Sequence, residues 1–221
     1  MPNKSIDEGY KIHCLADHGY VWDFHMTSNA EGPDPVAHTL TSLPALGITL
    51  NRWHVVYHLI CQLPYKFRAF DVYMDNWYTS LPLLSELRKL NIGGCGTCTT
   101  NSPNYPSSLN VVKTIKMAYQ QRSGHVQDGV ATLLWMDNGP VKMMTTIHPL
   151  TGEGASVLKS KKRPGLKSTN ATGIEQSGLF KDGEWEAEIP IPSCIDAYNC
   201  HMGGVDIADQ LRASYPTHMT S

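Results

Sequence analysis

The chain has 221 residues, of which 41% are apolar and 17% charged, so it is long and apolar enough to fold as one large domain or two small ones. Its 18 basic and 20 acidic residues leave a formal charge of −2, which argues against a strong overall attraction to nucleic acid. The sequence contains no 18-residue apolar stretch and no leader-like start, and its six cysteines are too few for a secreted disulfide scaffold, so an intracellular protein without a membrane span is expected.

The first hundred residues alternate between strand and helix patterns. Alternating apolar residues predict a hairpin from Tyr10 to Met26 around the turn DHG, whereas apolar residues at helical spacing predict a helix from Leu50 to Leu63. Three further elements follow: a strand (Ala69–Met74), a helix that begins at Ser80 and ends near Leu90, and the glycine-rich strand NIGGCGTC. This order predicts an α/β fold with helices packed on a mixed sheet.

From about Thr99 the chain changes character. GVATLLWMDNGPVKMMTTIH predicts a hairpin that turns at Asp137-Asn138-Gly139. The next stretch, SVLKSKKRPGLKS, is basic and is expected to be irregular, and GLFKDGEWEAEIPIPSCIDAYN is expected to be largely β. A single helix is predicted from about Asn199 or Met202 to Ala213.

Three acids are candidates for a metal site. Asp75 directly follows a predicted strand, at the edge where ligands bind in open α/β sheets. Asp206 and Asp209 are three residues apart in GGVDIADQ and therefore share one face of the predicted helix. Carboxylates that converge can bind Mg²⁺, and two such ions can drive phosphodiester chemistry. From the residues alone, a solvated first helical turn, favoured by the helix dipole, is the more common explanation of the two helix acids.

Several blocks of the sequence resemble the piggyBac-type transposase family. They are DNWYTSLPL (75–83), GGCGTCTTN (93–101) and YNCHMGGVDIADQL (198–211), and MPNK at the start and KIHCLAD (11–17) fit the same pattern. The blocks occur in the family's order and with its approximate spacing across nearly the whole chain.

The resemblance implies a ribonuclease H-like core, residues 1–98, with an inserted β-rich lobe at 99–198 and a core helix at 199–221. It implies a DNA transposase that uses Mg²⁺ and acts in the nucleus at TTAA targets and transposon ends, as a homodimer in its full-length form. The family's second and third metal-binding acids fall on Asp75 and Asp206, with Asp209 as a supporting acid. Trp77 and Tyr78 are then expected to pack beneath Asp75.

The chain also departs from the family pattern. The family's first catalytic aspartate lies on a strand before the MPNK-like segment, with which this chain begins, and the family's cysteine-rich C-terminal finger has no counterpart. Thr99 stands where the family usually carries arginine. We therefore expect an inactive fragment that lacks the first core strand. A non-catalytic DNA- or protein-binding domain is the alternative, and a partial gene product of an active protein is a third interpretation.

Two further patterns remain open. The first is a basic run formed by Lys159, Lys161, Lys162 and Arg163. It could contact DNA phosphates, serve as a nuclear-import signal or be only a solvated loop. The second is a set of four cysteines whose spacing would allow a zinc site: Cys95, Cys98, Cys194 and Cys200. Half-buried thiols without a metal are the better interpretation of these residues.

Overall fold

The structure is a computed structural model, and it describes residues 11–27, 53–110, 117–163, 165, 178–181 and 183–215. Its elements in chain order are β1 (Lys11–Asp17), β2 (Tyr20–Thr27), α1 (Trp53–Cys61), β3 (Phe70–Met74), α2 (Leu81–Lys89), β4 (Ile92–Thr97), β5 (Arg122–Gln127), β6 (Val130–Met136), β7 (Pro140–Thr145), β8 (Ser156–Lys162), β9 (Glu186–Pro192), α3 (Ser193–His201) and α4 (Gly204–Ser214). They fall into two compact units, residues 1–67 with 203–221, and residues 68–202.

In the first unit, β1 and β2 form an antiparallel hairpin against which α1 and α4 pack. His25 of β2 joins the hairpin to α1, because its ring lies 6.5 Å from the ring of His13 and 6.4 Å from that of His58. Gly204 at the start of α4 lies directly against the backbone of Ala16, so a side chain at this position would collide with β1.

A five-stranded mixed sheet with the order β3-β4-β7-β6-β5 organises the second unit. β3 and β4 run parallel and are joined through α2, whereas the remaining pairs are antiparallel. The α2 helix begins at Ser80, whose hydroxyl accepts a hydrogen bond from the Leu83 N–H, and Pro82 occupies its first turn. Its leucines at 81, 83, 84 and 87 are buried.

The second unit also contains the hairpin β8–β9, which continues into α3. One core cluster joins the sheet to this hairpin and helix through Cys95, Leu133, Trp135, Met143, Ile191, Cys194, Ile195 and Tyr198. Arg122 ties β5 to the hairpin, since its guanidinium donates to the Ser156 hydroxyl and to the Pro190 carbonyl, both at 2.6 Å.

The structure confirms the predicted α/β class and most predicted elements, including the turn at Asp137-Asn138-Gly139. The predicted helix from Leu50 is described from Trp53 onward, and the stretch 50–52 lies outside the described residues. The boundaries predicted at 98/99 and 198/199 mark where a lobe is inserted along the sequence, whereas the two compact units are defined by packing. The predicted boundaries therefore stay a prediction.

Two predictions on the second half were wrong. The basic stretch SVLKSKK is a regular strand, β8, because β9 supplies its partner from far along the chain. The stretch SCIDAYN, which was expected in a largely β region, forms the helix α3, whereas the predicted C-terminal helix is confirmed as α4. No described helix is both long enough and apolar enough to span a membrane.

Candidate active site at Asp75

Asp75 lies directly after β3, at the end of a strand whose two faces differ. Val72 and Met74 point into the core and are buried, whereas Asp71 and Asp75 are exposed. Because side chains alternate along a strand, Asp71, Tyr73 and Asp75 share one face. The alternation of FDVYMD thus buries one face of β3 and presents acids on the other.

Backbone hydrogen bonds fix the turn that contains Asp75. The Trp77 N–H donates to Asp75 Oδ1 at 2.9 Å, and the N–H groups of Tyr78 and Thr79 donate to the Asp75 carbonyl at 3.3 and 3.1 Å. An aspartate that accepts from the amide two residues later forms an Asx turn. The carboxylate is thereby oriented while the residue remains exposed.

The residue packed beneath Asp75 is not the expected one. Trp77 was expected there, but its side chain is 46% exposed, and Tyr78 is only partly buried. Thr79, which is 2% exposed, occupies the buried position instead, and its hydroxyl donates to the Asp75 carbonyl at 2.8 Å. The motif DNWYTS offered a cue, since a hydroxyl is the short donor that a buried turn carbonyl requires.

The α3 helix covers the same side of the sheet. Its Tyr198 is buried, and this burial raises the pKa of the phenol; a hydrogen bond with Thr97 opposes the shift and the nearby Asp75 carboxylate adds to it. Three residues later, His201 stacks on Tyr73 with 4.9 Å between the ring centroids. Tyr198 opens the block YNCHMGGVDIADQL, but no role was predicted for it from the sequence.

Asp206 and Asp209 lie in α4, which belongs to the first unit. Both are exposed, Asp206 lies in the first turn of the helix, and Asp209 Oδ1 accepts a 3.4 Å hydrogen bond from Arg212. The predicted i, i+3 spacing on one helix is confirmed. Within the described ranges, no group of three His, Cys, Asp or Glu side chains is placed so that it could hold a metal ion.

The donor chemistry at Asp75 fits a hard divalent cation such as Mg²⁺. Its carboxylate is exposed, already oriented by an amide, and supplies the oxygen ligands that Mg²⁺ prefers. A carboxylate fixed in this way loses little conformational freedom when it coordinates an ion.

Two of the four predicted DNA-contacting residues are engaged within the protein. Lys159 and Lys161 share one face of β8; Lys159 pairs with Asp196 of α3 at 2.8 Å, and Lys161 with Asp137 at 2.5 Å. Lys161 also lies 4.9 Å from the centre of the Trp135 ring. Lys162 is exposed on the other face of β8, and the Arg163 backbone N–H donates to the Trp185 carbonyl.

Three of the four cysteines from which a zinc site could be drawn are core residues, whereas Cys200 is exposed. Cys95, Cys98 and Cys194 are buried, which raises the pKa of their thiols to about 12, about 12 and about 11. Zinc binds the thiolate, so such thiols are poor ligands unless a metal displaces their protons.

His148 has a partly buried imidazole that is expected to make the stability of the second unit depend on pH. Burial lowers the pKa of its imidazole, His201 adds to this shift, and Asp71 opposes it. Because the unfolded chain binds this proton more readily, the stabilisation is complete above the unfolded pKa of about 6.5 and is lost as the pH falls from there through the lower pKa of the folded state. We expect the unfolding free energy to decrease from pH 7 to pH 5 in urea titrations.

The variant His148→Gln should flatten this pH dependence, whereas Asp71→Asn should make it steeper because the carboxylate that favours the proton is removed. The same slope in all three proteins would contradict the assignment to His148.

Comparison with known proteins shows to which family the chain belongs. The family profile described as "Transposase IS4" matches residues 1–221, so the chain belongs to that transposase family. A cryo-EM structure of a piggyBac transposase synaptic complex with hairpin DNA has the same fold, with a TM-score of 0.58 and 17% identity over 96% of this chain. The chain spans 36% of the length of that protein. The two findings confirm the predicted resemblance to piggyBac-type transposases.

Proposed function

We propose that this chain is a segment of the catalytic domain of a piggyBac-like DNA transposase and that it does not cleave DNA on its own. The family match across residues 1–221 carries the proposal. The transposase complex with the same fold contains hairpin DNA, which supports DNA as the partner. TTAA targets, homodimerisation and action in the nucleus belong to the same proposal.

The topology supports a ribonuclease H-like core. The hairpin β1–β2 forms its own two-stranded sheet, and the parallel pair β3–β4 with its crossover helix α2 belongs to the five-stranded mixed sheet. Both motifs are typical of folds that combine helices with a mixed sheet. Within the described residues, β1 pairs only with β2, and β3 is the outer strand of its sheet. Each therefore offers an edge to which a further core strand could pair.

Asp75 and Asp206 would hold Mg²⁺ in this proposal, with Asp209 as a supporting acid. When bound, such an ion activates water and stabilises a leaving oxygen in phosphodiester chemistry. The contribution of the chain itself is orientation, because the Trp77 N–H holds Asp75 Oδ1 and leaves the residue accessible.

The test is a supercoiled-plasmid assay with the full 221-residue chain in Mg²⁺ and in Mn²⁺. We expect no nicking above the buffer control. Nicking that disappears in Asp75→Ala would overturn the proposal that the chain is inactive alone, and it would establish Asp75 as a catalytic ligand. Nicking that persists in Asp75→Ala would indicate a contaminating nuclease or another site.

A non-catalytic DNA-binding role is a second candidate, and the exposed position of Lys162 favours it. Lys162→Gln should weaken DNA binding and reduce the slope of log K against log salt by about 1. Lys161→Gln is the matched control, because its ammonium group is already paired with Asp137. Equal losses in the two variants, measured by fluorescence anisotropy between low and high salt, would contradict this assignment.

A further inference from the structure

Thr79 occupies a buried position between the end of β3 and the start of α2. Its residue is 2% exposed, and its hydroxyl lies 2.8 Å from the Asp75 carbonyl oxygen and 3.3 Å from the Met74 carbonyl oxygen. A hydroxyl donates a single hydrogen, so the shorter contact to Asp75 is the main bond and the longer one shares it. The Thr79 backbone N–H reaches the same Asp75 carbonyl at 3.1 Å.

We infer that Thr79 is a positioning residue that sets the orientation of the Asp75 carboxylate. The inference rests on the proposed role of Asp75 as a metal ligand. Two donors of one residue hold the Asp75 carbonyl, which fixes the peptide plane that follows Asp75. That plane leads into the turn in which the Trp77 N–H holds the carboxylate.

Gly96 of β4 supplies the space that this arrangement needs. Met74 and Gly96 are partners in the parallel pair β3–β4. A Cβ atom at Gly96 would overlap the Thr79 hydroxyl and the Met74 carbonyl oxygen. The absence of a side chain at Gly96 therefore lets the threonine hydroxyl reach the backbone at the strand end.

The geometry separates a positioning role from a general structural one. Ser80 caps α2 through its own hydroxyl, so the helix retains its N-terminal cap when the Thr79 hydroxyl is removed. The Thr79 hydroxyl is directed at carbonyls of the strand end and not at α2. Its loss should consequently loosen the turn around Asp75 more than it loosens the helix.

The first measurement is amide hydrogen exchange by NMR on the full chain. Thr79→Val removes the hydroxyl and keeps the shape, and it should speed exchange at the Trp77 and position-79 amides by roughly fivefold, as expected for the loss of one hydrogen bond. The Leu87 amide in α2 should exchange at its original rate. Thr79→Ser should restore slow exchange, and the pair Thr79→Ala and Thr79→Ser repeats the comparison without a β-branched side chain.

A second measurement, Mn²⁺ titration followed by electron paramagnetic resonance, connects positioning to function. Thr79→Val should weaken Asp75-dependent Mn²⁺ binding by roughly three- to tenfold and Thr79→Ser should not. Unchanged exchange at Trp77 in Thr79→Val, or equal acceleration at Trp77 and Leu87, would overturn the inference. If exchange responds as expected but Asp75→Asn leaves Mn²⁺ binding unchanged, the proposed function fails and the positioning of Asp75 by Thr79 stands.

Discussion

Leu84→Ala is expected to lower the unfolding free energy by about 2–5 kcal/mol. Leu84 is fully buried in α2, and its Cδ2 fills the space above Gly94 of β4, where no Cβ atom would fit. Truncation removes the apolar contact and leaves a cavity between helix and sheet that the rigid strand cannot close. Urea unfolding monitored by circular dichroism measures the change.

Leu158→Ala is the matched control for this prediction. Leu158 lies on β8 and is 65% exposed, so the same chemical change should alter stability by no more than about 0.5 kcal/mol. Similar losses in the two variants would contradict the placement of α2 against β4.

Gly96→Ala is expected to cost about 1–3 kcal/mol and to disturb the turn at Asp75. The added methyl group would overlap a backbone oxygen of Met74 as well as the Thr79 hydroxyl. A backbone atom cannot rotate away as a flexible side chain can, so β3 and β4 would have to separate at this point. Exchange at the Trp77 amide should therefore accelerate together with the loss of stability.

Gly139→Ala provides the comparison. Gly139 lies in the turn between β6 and β7, where a Cβ atom would meet no other atom within 4 Å. This substitution should leave the Trp77 amide unchanged and should not lower stability by more than a few tenths of a kcal/mol. A loss as large as that in Gly96→Ala would mean that the close approach at Gly96 does not carry the effect.

Local sequence patterns were sufficient for the elements around Asp75. The alternation in FDVYMD predicted β3, and the serine that opens SLPLLSELRKL, with the proline two residues later, predicted the start of α2. These signals depend on residues within one or two turns of each other, so tertiary context did not override them.

Signals that depend on distant partners were not readable from the sequence. SVLKSKK carries too many lysines to look like a strand, yet Glu186 and Glu188 on β9 face it and Asp196 and Asp137 neutralise two of its charges. The break between α3 and α4 coincides with the packing of Gly204 against the backbone of Ala16, almost 190 positions earlier in the chain. Such pairings depend on the tertiary fold and produce no periodic pattern of apolar residues within the segment itself.

The candidate site was predictable where it depends on local pattern and not where it depends on neighbouring strands. The position of Asp75 at a strand end followed from alternation and is confirmed. The burial of Thr79 also depends on Gly96 of the neighbouring strand, and the space that this glycine leaves cannot be seen within DNWYTS. The assignment of Asp75 and Asp206 as metal ligands comes from the resemblance and stays a prediction.

The proposed role of Asp75 is that of a metal ligand in a transposase-type site. Mn²⁺ titration of the full chain, of Asp75→Asn and of Asp71→Asn tests it most directly, because both aspartates lie exposed on the same face of β3 and its end. We expect Asp75→Asn to weaken Mn²⁺ binding by roughly tenfold or more and Asp71→Asn to leave it unchanged. Mutation of a residue that only hydrogen-bonds to a metal ligand already lowers metal affinity by about 10–100-fold, so loss of a ligand itself should lower it at least as much. Equal affinities in all three proteins, or a loss confined to Asp71→Asn, would contradict the claim.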